Sequence, residues 1–327
     1  MMEVETGSEA RAYRFSVALA QRDFHAELHR IFRSRGWAQA LPAMRLRLLK
    51  AHRNRCTFEV SLDTESGWRS LIGKVHDVDR SDVVGAMQSI VDAGFGPTAE
   101  FAVPRPLGYV DSLHILLEEE VQGTPAKDIF WNGDLDERIA TARRCGSWLG
   151  RYHSSAPRQG NVAEHFRFLA PIRSWAEQIK GSGGPLGIKV ALLLRELETA
   201  IPAPDDFEPC AGHGSYIPEH VLLDGRRTLT IDLDEYDVAD PARDLAWFIV
   251  SLERLGLKRR GSIRAHDRSV TAFLEAYSAS GPQNALTHLP FYKATECLHR
   301  ARNDLKKPVS PIPEWSEIML DEGLGAL

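Results

Sequence analysis

The first third of the chain carries mostly strand-like runs of hydrophobic residues. These runs cover 44–62, 69–76 and 112–123. The first of them consists of two apolar segments on either side of the polar turn 52–55. Helical spacing of apolar residues occurs at 15–36 and again, more briefly, at 81–93. Glycine and proline punctuate 94–110, which predicts a loop followed by an edge strand.

After Gly123 the hydrophobic period changes from two residues to about 3.6. Amphipathic helices are predicted at 135–155, 161–180, 186–200, 241–254, 265–280 and 289–306. One interruption looks like a β-hairpin, because the apolar runs within 220–234 are joined by the turn dipeptide Asp224-Gly225.

These patterns predict an α+β protein with two lobes. A small β-rich N-terminal lobe would span 1–118, a hinge 119–123, and a mainly helical C-terminal lobe 124–327. A cleft between two lobes is a usual place for a ligand.

Composition narrows the class of protein. The chain has 327 residues, of which 43% are hydrophobic and 26% charged, as in ordinary soluble proteins. A formal net charge of −5 argues against a nucleic-acid or anionic-membrane partner. No stretch approaches the roughly 18 apolar residues of a membrane span. The cysteines are scattered and form no C-x-x-C pair, which predicts reduced thiols in a cytoplasmic protein.

The predicted hairpin would hold two loops, 213–220 and 232–240, side by side at its ends. Asp232 and Asp234 follow the buried-looking segment before the second loop. Carboxylates at a strand end beside a cleft are natural ligands of Mg²⁺, which prefers hard oxygen donors. Aspartates that only cap turns would give the same local pattern, so both interpretations stay open here.

The segment as a whole resembles the catalytic core of the aminoglycoside phosphotransferase family, whose fold is similar to that of protein kinases. The family shows H-G-D-x-x-x-x-N, a short hairpin, I-D-F/L-x and then D-P-x-x-D-L-A. This chain reads HGSYIPEH at 213–220, IDLD at 231–234 and DPARDLA at 240–246. The segments WLGRYHSS at 148–155 and LLEEEVQGTP at 116–125 resemble the family's helix end and hinge.

The resemblance implies a role for each charged group near the phosphates. Lys74 would pair with the α- and β-phosphates of ATP or GTP, and Asp232 would bind Mg²⁺. His220 stands where the family has an asparagine. It is either a metal ligand, softer than Mg²⁺ prefers, or a plain loop residue. The central expectation is that Lys74 and Asp232 converge on one polyphosphate.

The catalytic loop departs from the family at its most important position. Ser215 replaces the aspartate that would accept the proton of the substrate hydroxyl, and Asp234 is the nearest carboxylate that could substitute for it. His213 is expected to support the loop through hydrogen bonds rather than to move a proton. Asp244 is expected to accept backbone N–H bonds from the same loop.

The resemblance also implies nucleotide contacts in the N-terminal lobe. Glu119 and Val121 would meet the base through backbone groups. Arg53 or Arg55 would either clamp a phosphate or lie in solvent. The predicted helix 81–93 has no glutamate to pair with Lys74, so Lys74 would pair with a residue elsewhere.

We therefore interpret the sequence as an ATP-dependent kinase acting on a hydroxyl of a small molecule. The acceptor would lie near Ser215, Tyr216 and Asp234, and Glu219 and Glu235 would favour a cationic one. A pseudokinase that binds a nucleotide or ligand without catalysis is the main alternative, because Ser215 removes the usual base. A regulatory interaction protein that binds no nucleotide is the third.

Overall fold

The computed structural model describes seven ranges: 22–37, 44–51, 55–64, 67–162, 166–203, 206–306 and 312–327. The chain forms two compact units, Met1–Gly123 and Thr124–Leu327. The first is built on a β-sheet and the second is mostly helical, which confirms the predicted α+β class. Within the ranges given above, no helix is both long and apolar enough to cross a membrane.

The first unit contains an antiparallel five-stranded sheet and two helices. Its elements are α1 (Arg22–Ser34), β1 (Met44–Ala51), β2 (Arg55–Thr64), β3 (Gly67–His76), α2 (Ser81–Ile90), β4 (Phe101–Ala102), β5 (Pro106–Val110) and β6 (Ile115–Glu119). The strand order in the sheet is β1-β2-β3-β6-β5, so β5 lies at an edge as the sequence predicts. Helix α2 continues into a π-helical turn, Val91–Phe95, so helical backbone covers the predicted segment 81–93.

Helix α1 packs its apolar side against the sheet. Phe24, Leu28 and Phe32 are fully buried, and they share one hydrophobic cluster with sheet residues such as Phe58 and Leu117. The spacing of four residues between Phe24, Leu28 and Phe32 places them on one helix face. The 3.6-residue period of the sequence therefore specifies which side of α1 is buried.

The second unit is built from helices with short strands between them. Its elements are β7 (Thr124–Pro125), α3 (Ala126–Asn132), α4 (Leu135–Ser155), α5 (Phe166–Lys180), α6 (Gly184–Thr199), β8 (Cys210–Gly212), β9 (Val221–Asp224), β10 (Arg227–Thr230), β11 (Asp237–Ala239), α7 (Ala242–Arg260), α8 (Asp267–Ser278), α9 (Leu289–Leu305) and α10 (Pro313–Ala326). All six predicted helices are present. Helices α3 and α10 and the short strands β7, β8 and β11 were not predicted.

The start of α4 is fixed by a capping box. The Asp134 side chain accepts a hydrogen bond from the backbone N–H of Glu137, and the Glu137 side chain accepts one from the N–H of Asp134. This reciprocal arrangement satisfies two of the N–H groups that a helix start leaves without partners. It explains why the observed helix starts at Leu135, as predicted.

The predicted hairpin is confirmed, but its two turn residues are 225–226 rather than Asp224-Gly225. Strands β9 and β10 pair in antiparallel register, with Asp224 opposite Arg227, and β7 pairs with the other side of β9. Strands β8 and β11 pair with each other, with Asp237 opposite Gly212. As predicted, the loops at the ends of the hairpin are held side by side, because each is tied to one of these paired strands.

The core of the second unit also contains a histidine whose burial affects stability. His266 is 1% exposed, and its ring nitrogens have no hydrogen-bond partner among the described residues. Burial, together with the charges of Arg138 and Arg260, lowers the pKa of His266 to about 4. The folded protein therefore keeps this ring neutral at pH values where the unfolded chain protonates it.

We expect His266→Phe to reduce the acid sensitivity of the protein. Between about pH 6.5 and pH 4 the unfolded state binds one proton more than the native state, so the free energy of unfolding falls as pH falls. His266 contributes a loss of about 2–3 kcal/mol over that range. Urea denaturation at a series of pH values measures it. Above pH 7 the free energy of unfolding should change with pH in the same way in both proteins. If it falls equally steeply below about pH 6.5 in the variant, His266 is not the cause of the acid sensitivity.

Candidate functional site

The loop 213–220 is held in place by a carboxylate from helix α7. Asp244, in the first turn of α7, accepts hydrogen bonds from the backbone N–H of His213 at 2.7 Å and of Gly214 at 3.0 Å. His153 on α4 contacts the same carboxylate through Nε2 at 3.2 Å. The predicted role of Asp244 is confirmed. The sequence did not reveal that His153 is its third partner, although His153 lies in the segment quoted for the family resemblance.

This carboxylate is charged in spite of being buried. Burial alone would raise the pKa of Asp244, but the hydrogen bond with His153 and the charge of Arg243 outweigh it, so the pKa lies below its usual range. Asp244 is 1% exposed. A buried anion with several donors fixes a backbone segment firmly, because each donor would be costly to leave unpaired.

The two loops approach each other closely at Gly214. The backbone of Gly214 has a φ of 80°, and a Cβ atom there would collide with the carbonyl oxygen of Glu235. Glycine is therefore required both for the left-handed conformation and for the contact. The second residue of the family motif thus has a physical reason to be glycine in this chain.

His213 is buried and neutral, and it is hydrogen-bonded to the backbone. Its Nε2 lies 3.1 Å from the carbonyl oxygen of Ile231, so Nε2 carries the proton and donates it. Burial lowers the pKa of His213 to about 4, and the ring is 0% exposed. This hydrogen bond joins the loop 213–220 to the residue before Asp232, as expected for a supporting role.

Beneath the loop lies a stack of aromatic rings. Tyr216 is 0% exposed, and its ring stacks on Trp148 at 5.5 Å and on Phe248 at 5.4 Å between centroids. Its hydroxyl donates to the carbonyl of Cys145 at 2.9 Å. Tyr216, expected beside the acceptor, instead has its side chain packed into the core.

His220 and Asp232 come together at the base of the hairpin. The Nε2 atom of His220 lies 3.3 Å from Oδ2 of Asp232, and the Nδ1 atom of His220 lies 2.9 Å from the carbonyl oxygen of Ser215. The backbone N–H of Ile231 also donates to the carbonyl of His220 at 2.9 Å. The two residues predicted as metal ligands are thus neighbours, and His220 also contacts the backbone of Ser215.

Asp232 has an uncommon backbone conformation, with φ 67° and ψ 53°. Aspartate adopts the left-handed region more readily than most residues, but it still costs free energy there, and such residues cluster at functional sites. Ser215 is partly buried and Asp234 is 2% exposed. The catalytic roles of Ser215 and Asp234 stay predictions.

In the first unit, Lys74 is buried and paired with a carboxylate from the neighbouring strand. Its Nζ lies 3.2 Å from Oε1 of Glu118, and the two side chains are 6% and 5% exposed. Glu118 on β6 lies opposite Ile72 in the sheet register, so it shares a face with Lys74. The expectation that Lys74 pairs outside helix α2 is confirmed. Glu118 could have been chosen because it belongs to the strand-like run 112–123.

The other predicted nucleotide contacts lie in or beside the sheet of the first unit. The N–H of Glu119 donates to the carbonyl of Arg105 at 2.9 Å, and Val121 follows the end of β6, half-buried. Arg55 is the first residue of β2, whereas Arg53 lies outside the described residues. Their roles toward a nucleotide stay predictions.

We expect Lys74→Met to lower the free energy of unfolding by about 3 kcal/mol, because it leaves the buried Glu118 carboxylate without its ammonium partner. The double variant Lys74→Met, Glu118→Leu should lose clearly less than the sum of the two single losses. Chemical denaturation of all four proteins measures the coupling. Additive losses would show that the two side chains do not interact.

Among the residues that the structure describes, no group of three or more His, Cys, Asp or Glu side chains is arranged to hold a metal ion. A site of two protein ligands is nevertheless ordinary for Mg²⁺ in phosphoryl-transfer proteins, where the substrate phosphates and water complete the coordination.

Comparison with known proteins gives one family and one fold. The sequence pattern described as the phosphotransferase enzyme family (APH) matches residues 73–286. No curated protein sequence matches the chain.

Solved structures of kinases have a similar fold. A choline/ethanolamine kinase family protein from Mesorhizobium loti has a TM-score of 0.60 at 16% identity, with 92% of each chain covered. The macrolide 2′-phosphotransferase from Brachybacterium faecium has a TM-score of 0.52 at 16% identity, covering 90% of this chain and 96% of that one. An amicoumacin kinase in complex with AMP-PNP and Ca²⁺ has a TM-score of 0.60 at 11% identity, with coverages of 91% and 92%.

Proposed function

The chain belongs to the phosphotransferase enzyme family, and on that premise we propose that it transfers a phosphoryl group from ATP or GTP to a hydroxyl group of a small molecule. The observation that carries the proposal is the contact between His220 and Asp232. These are the two positions where the family pattern has its metal ligands, and the fold brings them together at the base of one hairpin.

The contacts of His220 leave room for either a proton or a metal ion between its ring and Asp232. A carbonyl oxygen only accepts, so the contact between Nδ1 of His220 and Ser215 requires a proton on Nδ1. In the neutral ring Nε2 then carries a lone pair, and this lone pair faces the carboxylate of Asp232. Two acceptor atoms repel each other at this distance unless a proton or a metal ion lies between them.

The distance between the two acceptor atoms also fits a shared metal ion. Adjacent ligands of an octahedral ion, each about 2.1 Å from the metal, lie about 3 Å apart. The separation of 3.3 Å between Nε2 and Oδ2 is close to that value. Since an imidazole nitrogen is a softer donor than an amide oxygen, Mn²⁺ is a candidate beside Mg²⁺.

In the proposed reaction the chain positions reactants and neutralises charge. Bound nucleotide and metal ion would supply the phosphoryl group and offset its negative charge. Asp232 and His220 would hold the ion, and the ammonium of Lys74 would attract the phosphates. The Ser215 hydroxyl would orient the acceptor hydroxyl by hydrogen bonding, and Asp234 is the carboxylate proposed to take its proton.

A catalytically impaired pseudokinase is the second candidate, and Ser215 is the observation that favours it. A serine hydroxyl cannot accept a proton near neutral pH as a carboxylate can. The retained Lys74 and Asp232 would still allow binding of a nucleotide with a divalent ion. Both candidates therefore predict nucleotide binding, and they differ in turnover.

Calorimetric titration with AMP-PNP tests the shared requirement. We expect binding in the presence of Mg²⁺ or Mn²⁺, and we expect Asp232→Ala to weaken it about 10–100-fold through loss of metal affinity. Asp224→Ala is the matched control, since Asp224 lies at the exposed turn end of the same hairpin. Equal affinity in the wild type and in Asp232→Ala would contradict the proposed metal site. Phosphate release from ATP then separates the enzyme from the pseudokinase.

A further inference from the structure

The second unit contains a cavity beside the loop 213–220. Its volume is about 280 Å³, near the lower end of pockets that hold small molecules. The loop contributes Ile217 and Glu219 to the cavity lining. Since each residue of chain spans at most about 3.6 Å, the Cα atoms of Ser215 and Ile217 are within about 7 Å of each other. A molecule in this cavity would therefore be close to the residue that replaces the catalytic aspartate.

The lining of this cavity has an excess of positive charge. Four cationic side chains and one carboxylate face it: Lys127, Arg254, Lys258, Arg300 and Glu219. The remaining wall is mostly apolar, with Leu255 and Trp315 among its residues. An apolar wall with a few convergent charged groups is typical of a site for a small ligand.

Three of the four cations have carboxylate partners. Lys127 pairs with Glu219 at 3.0 Å, Arg254 pairs with the fully buried Asp304, and Arg300 lies 2.5 Å from a carboxylate oxygen of Glu296. The ion pair with Lys127 offsets the charge of Glu219. The observation that favoured a cationic acceptor is thereby weakened.

Among the described residues, Lys258 is the cavity cation without a carboxylate partner. Its Nζ lies 5.7 Å from the centroid of the Trp131 ring, and within the described part of the chain no carboxylate forms an ion pair with it. A lysine without a counter-charge at the edge of a cavity attracts an anion.

We propose that this cavity binds an anionic group, a phosphate or a carboxylate, of the acceptor molecule, so that the acceptor is a small acidic alcohol rather than a cationic one. This inference rests on the proposed phosphotransferase function for its meaning, but the anion site can be measured without any turnover. Lys258 and Arg300 would contact the anionic group, and the acceptor hydroxyl would extend toward Ser215.

Three sugars that share one scaffold test the charge preference. Glucose 6-phosphate, glucose and glucosamine are titrated calorimetrically at constant ionic strength, with inorganic phosphate as a fourth probe. The phosphate-bearing sugar is expected to bind at least about tenfold more tightly than glucose, because it gains a charge-assisted hydrogen bond. Tighter binding of glucosamine, or no binding of either phosphate probe up to about 10 mM, would overturn the proposal.

Substitutions at Lys258 and Arg260 test whether glucose 6-phosphate binds at this cavity. Lys258→Gln is expected to weaken glucose 6-phosphate about tenfold, and Lys258→Glu to weaken it further. Arg260→Gln is the matched control, since Arg260 is an exposed cation in the same last turn of α7 but does not line the cavity. An unchanged affinity in Lys258→Gln, or an equal loss in Arg260→Gln, would contradict the assignment.

Nucleotide titrations separate this inference from the proposed function. Lys258→Gln should leave the affinity for AMP-PNP with Mg²⁺ unchanged, and an equal loss of nucleotide and sugar phosphate would identify the cavity as a nucleotide site and overturn the proposal. Anion binding without nucleotide binding in the wild type would leave the anion site standing and remove the phosphotransferase function. Nucleotide binding without anion binding would overturn the anion site and leave the proposed phosphotransferase function standing.

Discussion

Replacing Ser215 with aspartate is expected to raise the rate of ATP hydrolysis, with water as the acceptor, by about 10²–10⁴-fold. The variant would place a carboxylate, which can take the proton of the attacking hydroxyl, at the position where the family pattern has one. The backbone at this position is well fixed. Gly214 is bonded to Asp244 and the carbonyl of Ser215 to His220, so the new side chain starts from a defined position.

Ser215→Asn is the matched control for shape, because asparagine has the size of aspartate and no basic oxygen. Its hydrolysis rate should stay near that of the wild type. Phosphate release under saturating nucleotide is the measurement, with AMP-PNP affinity determined separately for each protein. If Ser215→Asp retains nucleotide affinity and shows no gain, position 215 is not where the acceptor is deprotonated, and Asp234 becomes the remaining carboxylate to test.

Replacing Asp244 with alanine is expected to lower the free energy of unfolding by about 3–5 kcal/mol. The change leaves the N–H groups of His213 and Gly214 and the ring of His153 without the acceptor they share. Because these donors are buried, water does not replace the lost carboxylate without disturbing the fold. The loop 213–220 should loosen first, since Asp244 bonds to its first two residues.

The difference between wild type and Asp244→Ala should depend on pH in one direction. The pKa of Asp244 is lowered in the folded state, so its stabilising contribution is full above the unfolded pKa of about 3.9 and is lost as pH falls toward the folded value. Asp267→Ala is the control, because Asp267 is an exposed aspartate in the first turn of α8 and should cost less than about 1 kcal/mol. Urea denaturation measures both, and a similar small loss in the two variants would contradict the role of Asp244.

The pattern of hydrophobic and turn residues along the chain predicted most of the secondary structure correctly. The strand runs, the hairpin with its two-residue turn and the helix 135–155 could be read from hydrophobic period, turn residues and capping residues, since these are properties of neighbouring positions. Short elements were not predicted, because they contain too few residues to show a hydrophobic period. Strands β8 and β11 are three residues each and exist because they pair with one another. Helix α3 has only seven residues, too few for a clear pattern.

The sequence by itself also determined the family and the hydrogen bonds that Asp244 accepts from the loop 213–220, because residues at fixed spacing in a motif take fixed positions in the fold. Only the tertiary structure decided which groups share an environment. It turned Tyr216 into the core, chose Glu118 as the partner of Lys74, and oriented the His220 ring between Ser215 and Asp232. The cation-rich cavity is visible only in the tertiary structure, because the residues that line it lie between positions 127 and 315 of the chain. Packing brings together charged residues that are far apart along the chain, and this proximity cannot be predicted from the pattern of neighbouring residues.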